Sequence, residues 1–198
     1  MVEYDDRTAL LVVDVQNDFA DPGGSLYVTG AERVVDAVNR EIDRASAASA
    51  FIVYTQDWHP ESTPHFEKDG GVWPVHCVGG TRGAELHPAL RVFPGSEVVR
   101  KGTRGEDGYS GFSVRDPESG DVRATELDAV LERRGIERVV VAGLATDYCV
   151  KETALDAVRR GLATTVLRAA VAAVDLEEGD GERALAEVAA AGATVTES

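Results

Sequence analysis

Hydrophobic positions along the chain follow two recurring patterns. The first is a short, unbroken, β-branched run. It occurs at "ALLVVDV" (9–15), "FIVYT" (51–55), "EVVRK" (97–101), "RVVVAG" (138–143) and "TTVLRA" (164–169), with "ATVTE" (193–197) as a weaker sixth. Runs that are continuous rather than alternating predict strands covered on both faces. The second pattern has helical spacing. Val34, Val38 and Ile42 line one face of "GAERVVDAVNREIDRASAAS", and Leu127, Val130 and Leu131 do the same in "TELDAVLERRG", which Gly135 is placed to stop. Two more helices are expected, one from about 147 to 160 and one at "ERALAEVAAAG". Alternation of the two patterns predicts an α/β protein with a mainly parallel sheet and helices on both sides.

Two stretches break the alternation. From Gln56 to about Ser96 the chain carries neither a convincing strand nor a long helix, only Pro, Gly, His and Trp in density; a loop of that length inside a compact domain is usually functional. A shorter irregular stretch, "GTRGEDGYSGFS", covers 102–113. Ligands of open parallel sheets bind beyond the carboxyl ends of the strands, so the residues just after each run are the candidates. They are Asp14 after the first, Lys101 at the end of the third, and Cys149 in "GLATDYCV" after the fourth. Each alone is equally at home as a turn cap, a surface lysine or a small core side chain. Together they make a coherent set. A thiol at a helix start near a cation is expected to be acidified, with Asp147 as the helix cap. Asp14 could take the thiol proton and return it to a leaving amine, Lys101 could hold that carboxylate, and backbone amides at the turn could bind an oxyanion. This is the equipment of an acyl-transfer hydrolase.

The long loop adds a second set. "QDWHPESTPHF" and "WPVHC" place Asp57, His59, His65 and His76 in one segment, which suits a first-row transition metal such as zinc, iron or manganese. His65 is the likeliest bystander of the four, and His87 reads as structural.

Composition narrows the field further. At 198 residues the chain is expected to form one domain, 1–198. With 20 Lys+Arg against 35 Asp+Glu the net charge is −15, which disfavours nucleic-acid and membrane partners. The opening residues lack a signal-peptide pattern, no run approaches a membrane span, and two cysteines are too few for a disulfide framework; a reducing cytoplasm fits. Cys77 and Cys149 form no Cys-x-x-Cys pair, and neither "GGTRGAE" nor "GTRGEDG" fits a phosphate loop.

With "DVQNDF", "TQDWHP", "WPVHCV" and "GLATDYCV" in this order, the chain resembles the nicotinamidase/pyrazinamidase branch of the isochorismatase-like cysteine hydrolases. The resemblance implies a three-layer α/β/α sandwich on a six-stranded sheet, and hydrolysis of nicotinamide to nicotinate and ammonia in NAD salvage. It implies a catalytic set of Asp14, Lys101 and Cys149, and one divalent metal ion on Asp57, His59 and His76, with His65 matching a further histidine of some members. Phe19, Trp73 and Tyr109 match the substrate pocket, and Ala145 and Cys149 the oxyanion hole, after a cis peptide at Leu144–Ala145. The substrate class is a small pyridine carboxamide. The oligomeric state stays open, a homo-oligomer included. Two other readings compete: a family amidohydrolase acting on N-carbamoyl compounds, and a non-catalytic metal- or ligand-binding relative.

Overall fold

The valine-rich first strand, β1 (Thr8–Val13), is buried along its whole length in the middle of a parallel sheet. The geometry is that of a computed structural model describing residues 2–197; Met1 and Ser198, the ends of the expected 1–198 domain, lie outside the described residues. After β1 come a one-turn helix α1 (Asn17–Ala20), α2 (Ala31–Ala47), β2 (Phe51–Asp57) and β3 (Glu97–Lys101). A small hairpin follows, β4 (Ser113–Arg115) and β5 (Val122–Ala124), then α3 (Leu127–Arg133) and β6 (Arg138–Leu144). The chain ends with α4 (Lys151–Arg159), β7 (Ala163–Ala172), α5 (Asp180–Ala190) and β8 (Thr194–Thr196). Six of these strands form one sheet in the order β3-β2-β1-β6-β7-β8, with every pairing parallel.

The pleat of the sheet divides the core in two. Leu10 and Val12 pack with Val34, Val38 and Ile42 of α2 on one face. Leu11 and Val13 pack with Leu127, Leu131, Leu155 and Leu185 of α3, α4 and α5 on the other. Each such side chain, fully buried, contributes about 1.5–3 kcal/mol. The result is the three-layer α/β/α sandwich that the continuous apolar runs demand.

Four local expectations are corrected. β1 stops at Val13 rather than running to residue 15, because Asp14 adopts a left-handed φ of 48°. β7 extends beyond the expected 169 to Ala172. The helix expected from about 147 starts as a wide π-helical turn, Thr146–Val150, and becomes α-helical at Lys151. The hairpin β4–β5 was not anticipated. Its strands have three residues each, mostly exposed, so they carry no apolar pattern, and Asp116 Oδ1 organises the turn by accepting from the N–H groups of Glu118 and Ser119. Residues 58–96 hold only short 3-10 turns at Glu67–Asp69 and Arg82–Ala84.

Chain direction across the sheet reverses between β1 and β6: β2 and β3 extend to one side, β7 and β8 to the other. A crevice opens at the carboxyl ends of strands at such a switch. Gly143 permits the close approach there. Its φ is 121°, and a Cβ would lie 2.1 Å from the Val13 carbonyl oxygen. Among the described residues no helix is long and apolar enough to cross a membrane.

Candidate active site

Four neighbouring strands deliver the polar groups of the crevice. Lys101 ends β3, its side chain fully buried, and its Nζ lies 2.6 Å from Asp14 Oδ2 beyond the end of β1. The same ammonium donates to Asp57 Oδ1 of β2 at 2.8 Å, to the Gly108 carbonyl, and reaches Cys149 Sγ at 3.6 Å. Asp14, Asp57 and Cys149 present polar atoms within 4.8 Å of one another. Lys101 is thus the hub, and the acid, cation and thiol read from the strand ends do converge. The peptide Leu144–Ala145 is cis.

Charge states follow from burial and neighbours. Burial alone would strip the proton from Lys101, but Asp14, Asp57 and Cys149 outweigh it and hold the ammonium well above the ordinary lysine range. Burial also opposes charge on Asp57, yet Lys101, His59 and His76 keep its carboxyl well below the usual carboxylate range. For Asp14 burial wins, aided by the Asp57 charge and against Lys101, and its carboxyl is pushed up. The expected acidic thiol is corrected here. Burial pushes Cys149 well above the ordinary thiol range, and Lys101 offsets only part of that. Nor does Asp147 cap the helix. Its two carboxylate oxygens accept from the N–H groups of Val174 (3.0 Å) and Asp175 (2.9 Å), tying the loop after β7 to the cysteine turn.

Asp57 joins this set to a second one. Its Oδ2 faces His59 Nε2 at 3.7 Å and His76 Nε2 at 3.9 Å. His59, His65 and His76 offer ring nitrogens within 4.8 Å of one another, all three buried, so His65 is no bystander to the cluster. Both nitrogens of His59 are buried without a hydrogen-bond partner, a costly state for polar atoms unless something else satisfies them. His76 Nδ1 donates to the Pro74 carbonyl at 2.8 Å, which leaves Nε2 as a lone-pair donor. Burial pushes the His76 ring down to about 4, against the pull of Asp57, so it stays neutral at pH 7. Buried imidazoles beside a carboxylate, with orphaned nitrogens, are the donor set of a divalent transition-metal ion. Gly102 makes room for the His59 ring: φ is 74°, and a Cβ would lie 2.7 Å from His59 Cε1. His87 stands apart, with Nδ1 accepting from the Ala89 N–H.

Above both sets is a cavity of about 30 Å³, walled by Phe19, Trp73, Tyr109, His76 and Cys149, and also by Leu26, Tyr148 and Val174. Trp73 Nε1 donates to the Tyr109 hydroxyl at 2.8 Å, fixing one side. Several contributors escaped the sequence reading. Gln16 clamps Asp57 by donating to its carbonyl (2.7 Å) and accepting from its N–H (2.8 Å). Thr55 donates to Asp14 Oδ1 at 2.6 Å. The only available signal was a polar residue inside, or at the end of, an apolar run.

A family profile described as the isochorismatase domain matches residues 8–198. The chain belongs to the isochorismatase family, whose sheet and crevice are those just described. It is 37% identical to the nicotinamidase of Escherichia coli K12 over 94% of this chain and 93% of that protein. It is 43% identical to the nicotinamidase/pyrazinamidase of Mycobacterium tuberculosis H37Rv over 86% of each. Among solved structures, the pyrazinamidase of Pyrococcus horikoshii in complex with zinc superposes with a TM-score of 0.86 at 38% identity, covering 97% of this chain and 99% of that one.

Proposed function

We propose that the protein hydrolyses nicotinamide, and pyrazinamide likewise, to the carboxylic acid and ammonia through a thioester on Cys149. The observation that carries this reading is the buried Lys101 ammonium between Asp14 and Cys149, beside a cluster of three histidines, two of which, His59 and His76, face the far oxygen of Asp57. Because Cys149 is held as a thiol and the Asp14 carboxyl is pushed up, proton transfer accompanies attack rather than preceding it. Asp14 takes the Sγ proton as Sγ bonds the amide carbon, and the N–H groups of Ala145 and Cys149 donate to the oxyanion. Asp14 then returns the proton to the leaving nitrogen, the C–N bond breaks, and ammonia departs. Water attacks the thioester with Asp14 again as proton acceptor, the C–S bond breaks, and the thiol recovers its proton. Lys101 keeps its charge throughout and offsets the negative charge built up beside it.

Asp57, His59, His65 and His76 would hold a divalent ion, zinc, iron or manganese, which supplies a Lewis-acid contact for the substrate's ring nitrogen. Phe19, Trp73 and Tyr109 flank the ring. Two free cysteines and the absence of a long apolar helix among the described residues support a reducing cytoplasm as the compartment.

Ammonia release by the purified protein tests the reading. Nicotinamide and pyrazinamide should both be turned over, benzamide much more slowly for lack of the ring nitrogen, and Cys149→Ala should be inert while Cys77→Ala stays active. Equal rates on nicotinamide and benzamide would overturn the role given to the histidines. Ammonia from N-carbamoyl compounds alone would move the enzyme to the competing amidohydrolase class.

A further inference from the structure

The metal reading above gives His76 an evident tautomer, through its Nδ1–H on the Pro74 carbonyl. His65 has no such carbonyl. Its Nδ1 instead meets a carboxylate oxygen, Asp107 Oδ1, at 2.6 Å. Asp107 is held from two directions. Its N–H donates to the Arg115 carbonyl (2.8 Å) and its carbonyl accepts from the Arg115 N–H (2.9 Å), so the hairpin β4–β5 grips its backbone. Next to it, buried Glu106 accepts from the Arg104 N–H and pairs with Arg123 of β5. On the histidine side, the Thr63 hydroxyl donates to the Gly105 carbonyl (2.8 Å) and accepts from the His65 N–H (3.2 Å). Two loops far apart in sequence are therefore laced together where the carboxylate meets the ring. The ring itself stacks on His59 with centroids 4.7 Å apart, so its orientation bears on a second member of the cluster.

We propose that Asp107 is a positioning residue for the metal centre: it holds the Nδ1–H of His65 and thereby makes His65 Nε2 a ligand atom. A carboxylate on the far nitrogen of a ligating histidine fixes its tautomer and raises its basicity, and losing such a partner typically costs about 10–100-fold in metal affinity. This also gives the hairpin a task, since it holds the carboxylate that completes the centre. The proposal rests on the metal reading, but the two can fail separately.

The test is zinc affinity of metal-stripped full-length protein, measured by competition with a chromophoric chelator. Wild type, Asp107→Ala, Asp107→Asn, His65→Ala and the double variant Asp107→Ala/His65→Ala are compared, with cobalt(II) absorption spectra of each. Asp107→Ala should weaken zinc about 10–100-fold, and Asp107→Asn less, because its amide oxygen still accepts. On the His65→Ala background, Asp107→Ala should add nothing, and the cobalt spectra of the two single variants should change alike. A merely structural role would lower the melting temperature of the metal-free protein without this pattern. Zinc affinity of Asp107→Ala within twofold of wild type, or a full additional loss in the double variant, would overturn the proposal. Wild-type protein that binds no zinc would overturn the metal reading and this inference with it.

Discussion

The Asp14 carboxylate is held by a lysine on one oxygen and a threonine hydroxyl on the other. Thr55 also accepts from the Asp14 N–H at 3.2 Å, which pins a backbone in the left-handed region. Replacing Thr55 with Val keeps the shape and removes both bonds. A buried acceptor left without its donor costs about 1–3 kcal/mol, so kcat/KM for nicotinamide should fall about tenfold or more. Thr55→Ser restores the hydroxyl and should stay near wild type; wild-type activity in Thr55→Val would sink the argument. Asp14, Lys101 and Cys149 were legible as candidates because a charge or thiol ending an apolar run is conspicuous. Thr55 was not, since a threonine closing a strand reads as an ordinary β-former. The thiol's charge was misread for a related reason. A helix start and a cation are visible in sequence, whereas the burial that outweighs them appears only in three dimensions.

Elements were legible where they bury a face. All six strands of the sheet and the α2, α3 and α5 helices announce themselves by apolar spacing, whereas β4–β5 has no buried face to announce. What anchors the segment before it is polar. Asp156 of α4 accepts from the Ser110 and Ser113 hydroxyls at 2.8 and 2.9 Å, and Thr153 accepts from the Gly111 N–H. These bonds fasten the stretch that carries Gly108 to Lys101 and Tyr109 to Trp73. Burial opposes the Asp156 charge, but the two serines and Arg159 outweigh it and hold the carboxyl below its ordinary range. A depressed folded-state pKa contributes stability that is present above the unfolded pKa of about 3.9 and lost as pH falls through the folded one. Asp156→Asn should therefore melt below wild type at pH 7, with the gap closing in strongly acidic buffer. Its KM for nicotinamide should rise as Tyr109 loosens. A gap in melting temperature unchanged by acid would show that charge on Asp156 plays no part.

At the scale of the whole molecule, charge and topology act separately. The excess of 35 acidic over 20 basic residues is spread over a protein whose most deeply paired cation, Lys101, is fully enclosed. Self-repulsion of such a surface destabilises the compact state and is screened by salt over a Debye length that shrinks from about 10 Å at 0.1 M to about 3 Å at 1 M. The melting temperature should rise steadily across that range in sodium chloride, read by calorimetry. A flat or falling curve would mean that local ion pairs outweigh the net repulsion. Topology, by contrast, decides where chemistry can happen. The switch between β1 and β6 gathers the crevice, and the order of strands needed to find that switch is not written in any one of them.

The closeness of the walls around Cys149 also bears on what can release the acyl group. An acyl group on Cys149 would lie in the small chamber walled by Phe19, Trp73, Tyr109, Tyr148 and Val174, and the nucleophile that releases it has to fit beside it there. Deacylation then becomes a sorting of nucleophiles by bulk, in which water passes and an alcohol does not. Nicotinamide turned over in the presence of molar methanol should give nicotinate with no methyl nicotinate, as chromatography of the products would reveal. Ester formed in proportion to methanol would mean that the chamber stays open for the lifetime of the thioester, and that partitioning is governed by concentration alone.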